Sequence, residues 1–188
     1  TIMLNSNVIT SGAGTNSIGF DTSGASSSTF NISGNTITGG TATSTSSGLS
    51  FTSNSSTFNI DNNIITGGSA GTLSFGLDHA FGQFHTTTNN TITAGSCTGG
   101  GCTQRAYRQA ANNSTLTITG NILNGGVAAS TTSTRIALDL LDWPSGAANI
   151  QRNTFLNQTG VGTPTTVQIA SQSKSINFCS NVLIGGGT

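Results

Sequence analysis

The chain has 188 residues with five Lys or Arg, five Asp, no Glu and a formal net charge of zero, and only 5% of its residues are charged. Nucleic acid and anionic membrane surfaces capture proteins through clustered positive charge, so neither is an expected partner. No apolar run approaches the length of a membrane-crossing helix, so no membrane insertion is expected, and a surface left to Ser, Thr, Asn and Gly suits an extracellular or cell-surface protein.

The first predicted element carries Ile2 and Leu4, breaks at Asn7 and resumes at Ile9. The same arrangement returns as Phe30/Ile32 with Asn35, Phe58/Ile60 with Asn63, Leu116/Ile118 with Asn121, Ala148/Ile150 with Asn153 and Ile176/Phe178 with Asn181. The copy at Asn90 departs from it. Around 84–90 the apolar positions vanish, and an extra residue is expected there, shifting that register by one. In most copies a Gly pair closes the segment, and a third apolar stretch follows: Ile18/Phe20, Leu49/Phe51, Phe75/Leu77, Tyr107, Ile136/Leu138 and Val167/Ile169. Apolar residues at every second position are a strand signature. The seven Asn lie 28, 28, 27, 31, 32 and 28 residues apart, and self-similarity at such a period marks a stacked repeat. These features predict an all-β parallel β-helix, a solenoid of about six coils with three short strands each and a height of about 29 Å. No helix of ordinary length is expected, since the best candidate, 105–113, is short and ends in two Asn.

Asn7, Asn35, Asn63, Asn90, Asn121, Asn153 and Asn181 are predicted to form a hydrogen-bonded ladder at a tight turn, where Asn tolerates left-handed or bridging backbone angles. Through the pattern Phe30-Asn-Ile-Ser-Gly-Asn35-Thr-Ile and its copies, the chain resembles the right-handed parallel β-helix superfamily, the pectin-lyase-like fold, over nearly its whole length. The resemblance implies a right-handed solenoid. It leaves activity open, because that superfamily holds polysaccharide lyases and hydrolases, phage tailspikes, adhesins and surface proteins without catalysis. Residues 1–188 are read as one β-helix domain or as a fragment of a longer one, since neither end carries a segment to cap an open coil. Self-association, end to end or lateral, is therefore expected, and with it filament formation.

Cys97 and Cys102 flank a Gly-rich loop and are expected to form a disulfide in an oxidising compartment, leaving Cys179 as a free thiol. Two Cys make only half of a structural zinc site and no suitably spaced His follows, so no metal and no cofactor is expected.

Aligning the third stretch by its apolar residues places Asp21, Thr52, Asp78, Arg108, Asp139 and Ala170 in one outward column. Asp78, Arg108 and Asp139 then stand on consecutive coils about 5 Å apart, with His79 and Asp142 nearby in sequence. These five are the candidate catalytic residues. The resemblance implies what an enzyme would need here: several Asp on adjacent coils as acid and base in a hydrolase, or acids holding calcium beside a base in a lyase. Arg108 between two carboxylates is expected to lower both pKa values, which suits a structural charge stack better than a general acid. Tyr107 offers a face for sugar stacking, as does Trp143, although beside Pro144 that ring also reads as loop packing.

A second outward row flanks the position two after each ladder Asn: Val8/Thr10, Thr36/Thr38, Ile64/Thr66, Thr91/Thr93, Ile122/Asn124, Thr154/Leu156 and Val182/Ile184. β-Branched residues fit a strand surface, which accounts for much of it. Thr36, Thr38, Thr91 and Thr93 also form a candidate binding row similar to that of β-helical ice-binding proteins. The first reading of the whole is a non-enzymatic extracellular or cell-surface module, structural, adhesive or filament-forming, with carbohydrate as a further partner. A polysaccharide lyase or glycoside hydrolase and an ice-binding protein are the alternatives.

Overall fold

The computed structural model describes residues 1–23, 25, 27–52, 55–80, 84–110, 115–127, 130–141, 146–157, 160–170 and 175–185. Among them there is no helix, and twenty strands form three parallel sheets. The first sheet stacks Ile2–Asn5, Thr29–Ser33, Thr57–Asp61, Phe84–Thr88, Thr115–Thr119, Ala148–Gln151 and Ile176–Cys179. The second stacks seven three-residue strands, Val8–Thr10, Thr36–Thr38, Ile64–Thr66, Thr91–Thr93, Ile122–Asn124, Thr154–Leu156 and Val182–Ile184. The third stacks Gly14–Asp21, Ala42–Phe51, Leu73–His79, Thr103–Gln109, Thr134–Leu140 and Thr163–Ile169. Each strand pairs with its equivalents one repeat before and after, so the chain is a β-solenoid of about six coils. The helical candidate 105–113 is strand as far as Gln109, and 111–113 lie outside the described residues.

The strand leading to Asn90 holds no extra residue. Phe84–Thr88 pairs in unbroken register on both sides, with His85 opposite Phe58 and Leu116, and Thr87 opposite Ile60 and Ile118. The apolar signal vanishes there because two buried polar residues, His85 and Thr87, occupy the inward positions.

The turn also differs from expectation. The residue with left-handed backbone angles is the one before each ladder Asn: Ser6, Gly34, Asn62, Asn89, Gly120, Arg152 and Ser180, with φ between 54° and 70°. The ladder Asn themselves are not among the positive-φ residues. Their role is carried by the side chain. The Asn63 N–H and Nδ2 donate to Asn90 Oδ1 at 2.8 and 2.9 Å, and Nδ2 also lies 2.9 Å from the carbonyls of Ile32 and Asp61. The same paired donation joins Asn7 to Asn35, Asn35 to Asn63, Asn90 to Asn121, Asn121 to Asn153 and Asn153 to Asn181. Asn35, Asn63, Asn90, Asn121 and Asn153 are almost wholly buried, so each bond satisfies a group that would otherwise be costly to bury.

The Gly pairs serve the corner between the second and third sheets. A Cβ on Gly68 would lie 1.9 Å from the Gly40 carbonyl oxygen, and one on Gly95 would lie 2.0 Å from that of Gly68, so successive corners stack closer than any side chain allows. Ser46 plugs this corner, donating to the Gly40 carbonyl at 2.8 Å and accepting from the Gly68 amide at 3.0 Å. In the fourth and fifth coils the repeat lengthens, and the plug grows with it. Gln104 stands at the Ser74 register and donates to the Gly95 and Val127 carbonyls, and Arg135 stands next and donates to the Gly160 carbonyl.

Candidate functional site

The third sheet brings Asp78, Arg108 and Asp139 onto consecutive strands in one register, with Ser50 before them and Gln168 after. Ser50 and Gln168 replace the expected Thr52 and Ala170. The two-residue error comes from a break in strand alternation. Ala106 and Tyr107 are neighbours in sequence yet both belong to the core, as do Ala137 and Leu138. Residues before that break therefore change face, and Phe75 and Ile136 stand outside the core cluster. Phe75 lies instead beneath two guanidinium groups, 4.6 Å from Arg108 and 5.7 Å from Arg105 measured to the ring centre.

The charged column is not the three-member stack expected. Arg108 grips Asp78 with two bonds, Nε to Oδ1 at 2.6 Å and Nη2 to Oδ2 at 2.8 Å. Asp139 is held by Arg105, whose Nε donates to Oδ2. Arg105 was hidden from the sequence reading because residues three apart on a regular strand face opposite ways, and only the break at Ala106 turns both arginines to one side. The column is also less exposed than expected: the Asp139 side chain is wholly buried and Asp78 nearly so. Burial pushes the Asp78 carboxyl above the usual range, outweighing the attraction and hydrogen bonding of Arg108, where the sequence reading expected a lowering. A carboxyl forked on both oxygens by an arginine is poorly placed to hand over a proton.

His79 stands away from this column. It takes the core position of Phe51, its partner in register, and is fully buried with its ring 4.1 Å from that of His85. Tyr107 is likewise buried inside the column, so its ring offers no face to a sugar. Asp142 and Trp143 lie outside the described residues.

The second sheet presents a different surface. Val8, Thr36, Ile64, Thr91, Ile122, Thr154 and Val182 pair rung to rung in one column, and Thr10, Thr38, Thr66, Thr93, Asn124, Leu156 and Ile184 in another. The first column stands proud, with Ile64 55% and Ile122 43% exposed, and neither column contains a charge. Seven strands at the ordinary spacing make this face about 29 Å tall, and its columns are about 7 Å apart.

Cys97 and Cys102 are bonded to each other, closing the inserted corner of the fourth coil, and Cys179 is free and exposed. Two open grooves follow the Gly corners. One, of about 350 Å³, runs past Thr66, Gly68, Thr93, Gly95 and Val127, and the other, of about 750 Å³, past Thr15, Thr41, Thr43 and Thr98. Neither is lined by a titratable side chain, so both lie apart from the charged column. Among the described residues no group of three or more His, Cys, Asp or Glu is placed to hold a metal ion. In comparisons with known proteins the chain matches no family model, no curated protein and no solved structure.

Proposed function

We propose that this β-solenoid is a non-catalytic extracellular or cell-surface module of the pectin-lyase-like type, acting as a rigid structural or adhesive column. The observation that carries the reading is the outer face of the second sheet, seven rungs of uncharged side chains in two straight columns, β-branched everywhere but at Asn124 and Leu156. Rigidity comes from the Asn ladder and the Gly corners, which fix each rung at the strand spacing. A strip of these dimensions covers about 200 Å², well below the roughly 800 Å² per partner of a stable protein pair. Its contacts become useful by repetition, against a neighbouring column or an uncharged polysaccharide surface, so avidity does the holding. The disulfide accords with an oxidising location.

The test replaces Ile64, Thr91 and Ile122 together by Lys. All three side chains point to solvent, so melting is expected to stay unchanged, while lateral self-association in sedimentation and retention on insoluble cellulose are expected to fall. Unaltered association and retention would sink the adhesive reading.

Ice binding is the second reading, favoured by Thr10, Thr38, Thr66 and Thr93 on four consecutive rungs. Crystal shaping by the unmodified protein, abolished by changing Thr36, Thr38, Thr91 and Thr93 to Lys, would move it to first place. A lyase or hydrolase acting through Asp78, Arg108 and Asp139 would have to release two ion pairs before either carboxylate met a substrate. Cleavage of polygalacturonate that disappears in Asp139→Asn would restore it.

A further inference from the structure

The middle of the column carries a polar core that neither adhesion nor rigidity requires. Phe51, at the end of one third-sheet strand, and Phe58, on the first-sheet strand that follows, pack with ring centres 4.2 Å apart. One layer on, their register partners are His79 and His85, whose rings lie 4.1 Å apart. Both imidazoles are buried to within 2% of complete exclusion from solvent. Phe51, Phe58 and Tyr107 surround the His85 ring at 5.8, 6.1 and 5.7 Å.

Neutral groups bond to both rings. His79 Nδ1 lies 2.5 Å from Gln109 Oε1, which also accepts from the Tyr107 hydroxyl at 3.2 Å, and His85 Nε2 lies 2.5 Å from Thr87 Oγ1. His85 Nδ1 is buried with no hydrogen-bond partner. From the elements packed against it, the titratable groups that face His85 are His79 and Tyr107. Asp61, Asp78, Arg105 and Arg108 belong to neighbouring strands but are engaged on the outer side of their sheets. A proton on His85 would therefore place a cation against a second imidazole and three aromatic rings, with no carboxylate facing it among the described residues.

We infer that this stack is an acid-sensitive release built into the solenoid: at mildly acidic pH, proton binding at His85 opens the coils around it and interrupts the column at its middle. Burial, with a smaller contribution from His79, holds the His85 imidazole well below its ordinary pKa, so the folded state resists the proton that the unfolded chain accepts. The sign follows from that difference. Stability is full above the unfolded value of about 6.5 and falls as pH drops below it, the unfolding equilibrium rising about tenfold per pH unit until the lowered folded value is reached. Asp78 acts in the opposite direction. Its raised carboxyl favours the folded state as pH falls, so the histidine effect has to be isolated by substitution.

The experiment is urea unfolding of the unmodified chain and of His85→Phe between about pH 7 and about pH 4.5. Phenylalanine already fills this column at Phe30 and Phe58. The unmodified protein is expected to lose stability through this range, and the variant to lose about tenfold less per pH unit. Equal slopes in the two proteins would overturn the inference. Should His85→Phe fail to fold, proton uptake by the unmodified protein on denaturation at about pH 5.5 decides it: about one proton taken up supports the release, and none overturns it.

Discussion

The coils before His79 and those from His79 onward share one backbone and are filled differently. In the earlier coils the inner rings are Phe30, Phe51 and Phe58, and the Gly corners are plugged by serine. In the later ones the corresponding positions hold His79 and His85, with Gln104 and Arg135 as plugs, and the outer face carries two ion pairs. Strand register is nonetheless continuous across the boundary. The difference teaches that the Asn ladder and the turns set the path of the chain, while the inward positions accept whatever side chain fits and finds its bonds.

The strongest way to break that comparison is to damage what both regions share. Asn90→Leu would leave the Asn63 amide and Nδ2 without their acceptor, and the Ile60 and Thr88 carbonyls without a side-chain donor. With each buried orphan costing about 1–3 kcal/mol, a loss of about 4 kcal/mol or more is expected in denaturant titration. The two regions should then separate at their corners. Gly68→Ala drives a methyl into the Gly40 and Gly39 carbonyls, fixed backbone atoms that cannot step aside, and is expected to cost about 3 kcal/mol or more. Gly126→Ala in the longer corner meets nothing closer than 3.3 Å, so only its positive φ of 84° is penalised, at about 1–2 kcal/mol. Equal losses at the two glycines would show that the later corners are no looser than the earlier ones.

Within the later region, Arg105→Met keeps the aliphatic packing and strands Asp139 as a buried carboxylate, with an expected loss of about 3 kcal/mol. Adding Asp139→Asn should return most of it, because the neutral amide no longer needs a cation. A double variant as unstable as Arg105→Met alone would mean that the arginine works by packing over Phe75 and not by charge.

The ladder, the three strands per coil and the disulfide partners were legible in the sequence because each rests on residues that recur at a fixed offset or sit close together. The inward alternation of the first two sheets was legible wherever it was apolar. It failed at His85 and Thr87, where hydrophobic pattern and register disagree, and the register was kept by flanking turns the pattern does not weigh. The third sheet failed for a geometric reason. Consecutive inward residues such as Ala106 and Tyr107 break the period of two, so an alignment by apolar pairs slides Leu49/Phe51 onto Phe75/Leu77, whereas Leu49 pairs with Leu77 and Phe51 with His79. The charged column was placed on the right strands with Arg108 beside Asp78, but Asp139 was given the wrong partner, because its pairing with Arg105 depends on that break.

The smallest expected effect tests the shared turn itself. Five of the seven residues preceding the ladder Asn are not glycine, yet all take φ above zero, and Arg152, at 54°, is the one with a long side chain and no local hydrogen-bonding preference for that region. Replacing it with Gly removes a backbone penalty of about 1–2 kcal/mol and costs part of that through the greater freedom of glycine in the unfolded chain. A net gain of about 0.5–1 kcal/mol is expected. Gly34→Ala is the mirror experiment in the earlier region, where a Cβ would have free space, with nothing closer than 3.5 Å, so its expected loss of about 1 kcal/mol measures the backbone term alone. If Arg152→Gly brings no gain while Gly34→Ala brings its loss, the Arg152 side chain contributes a compensating contact, and the two turns differ in more than sequence.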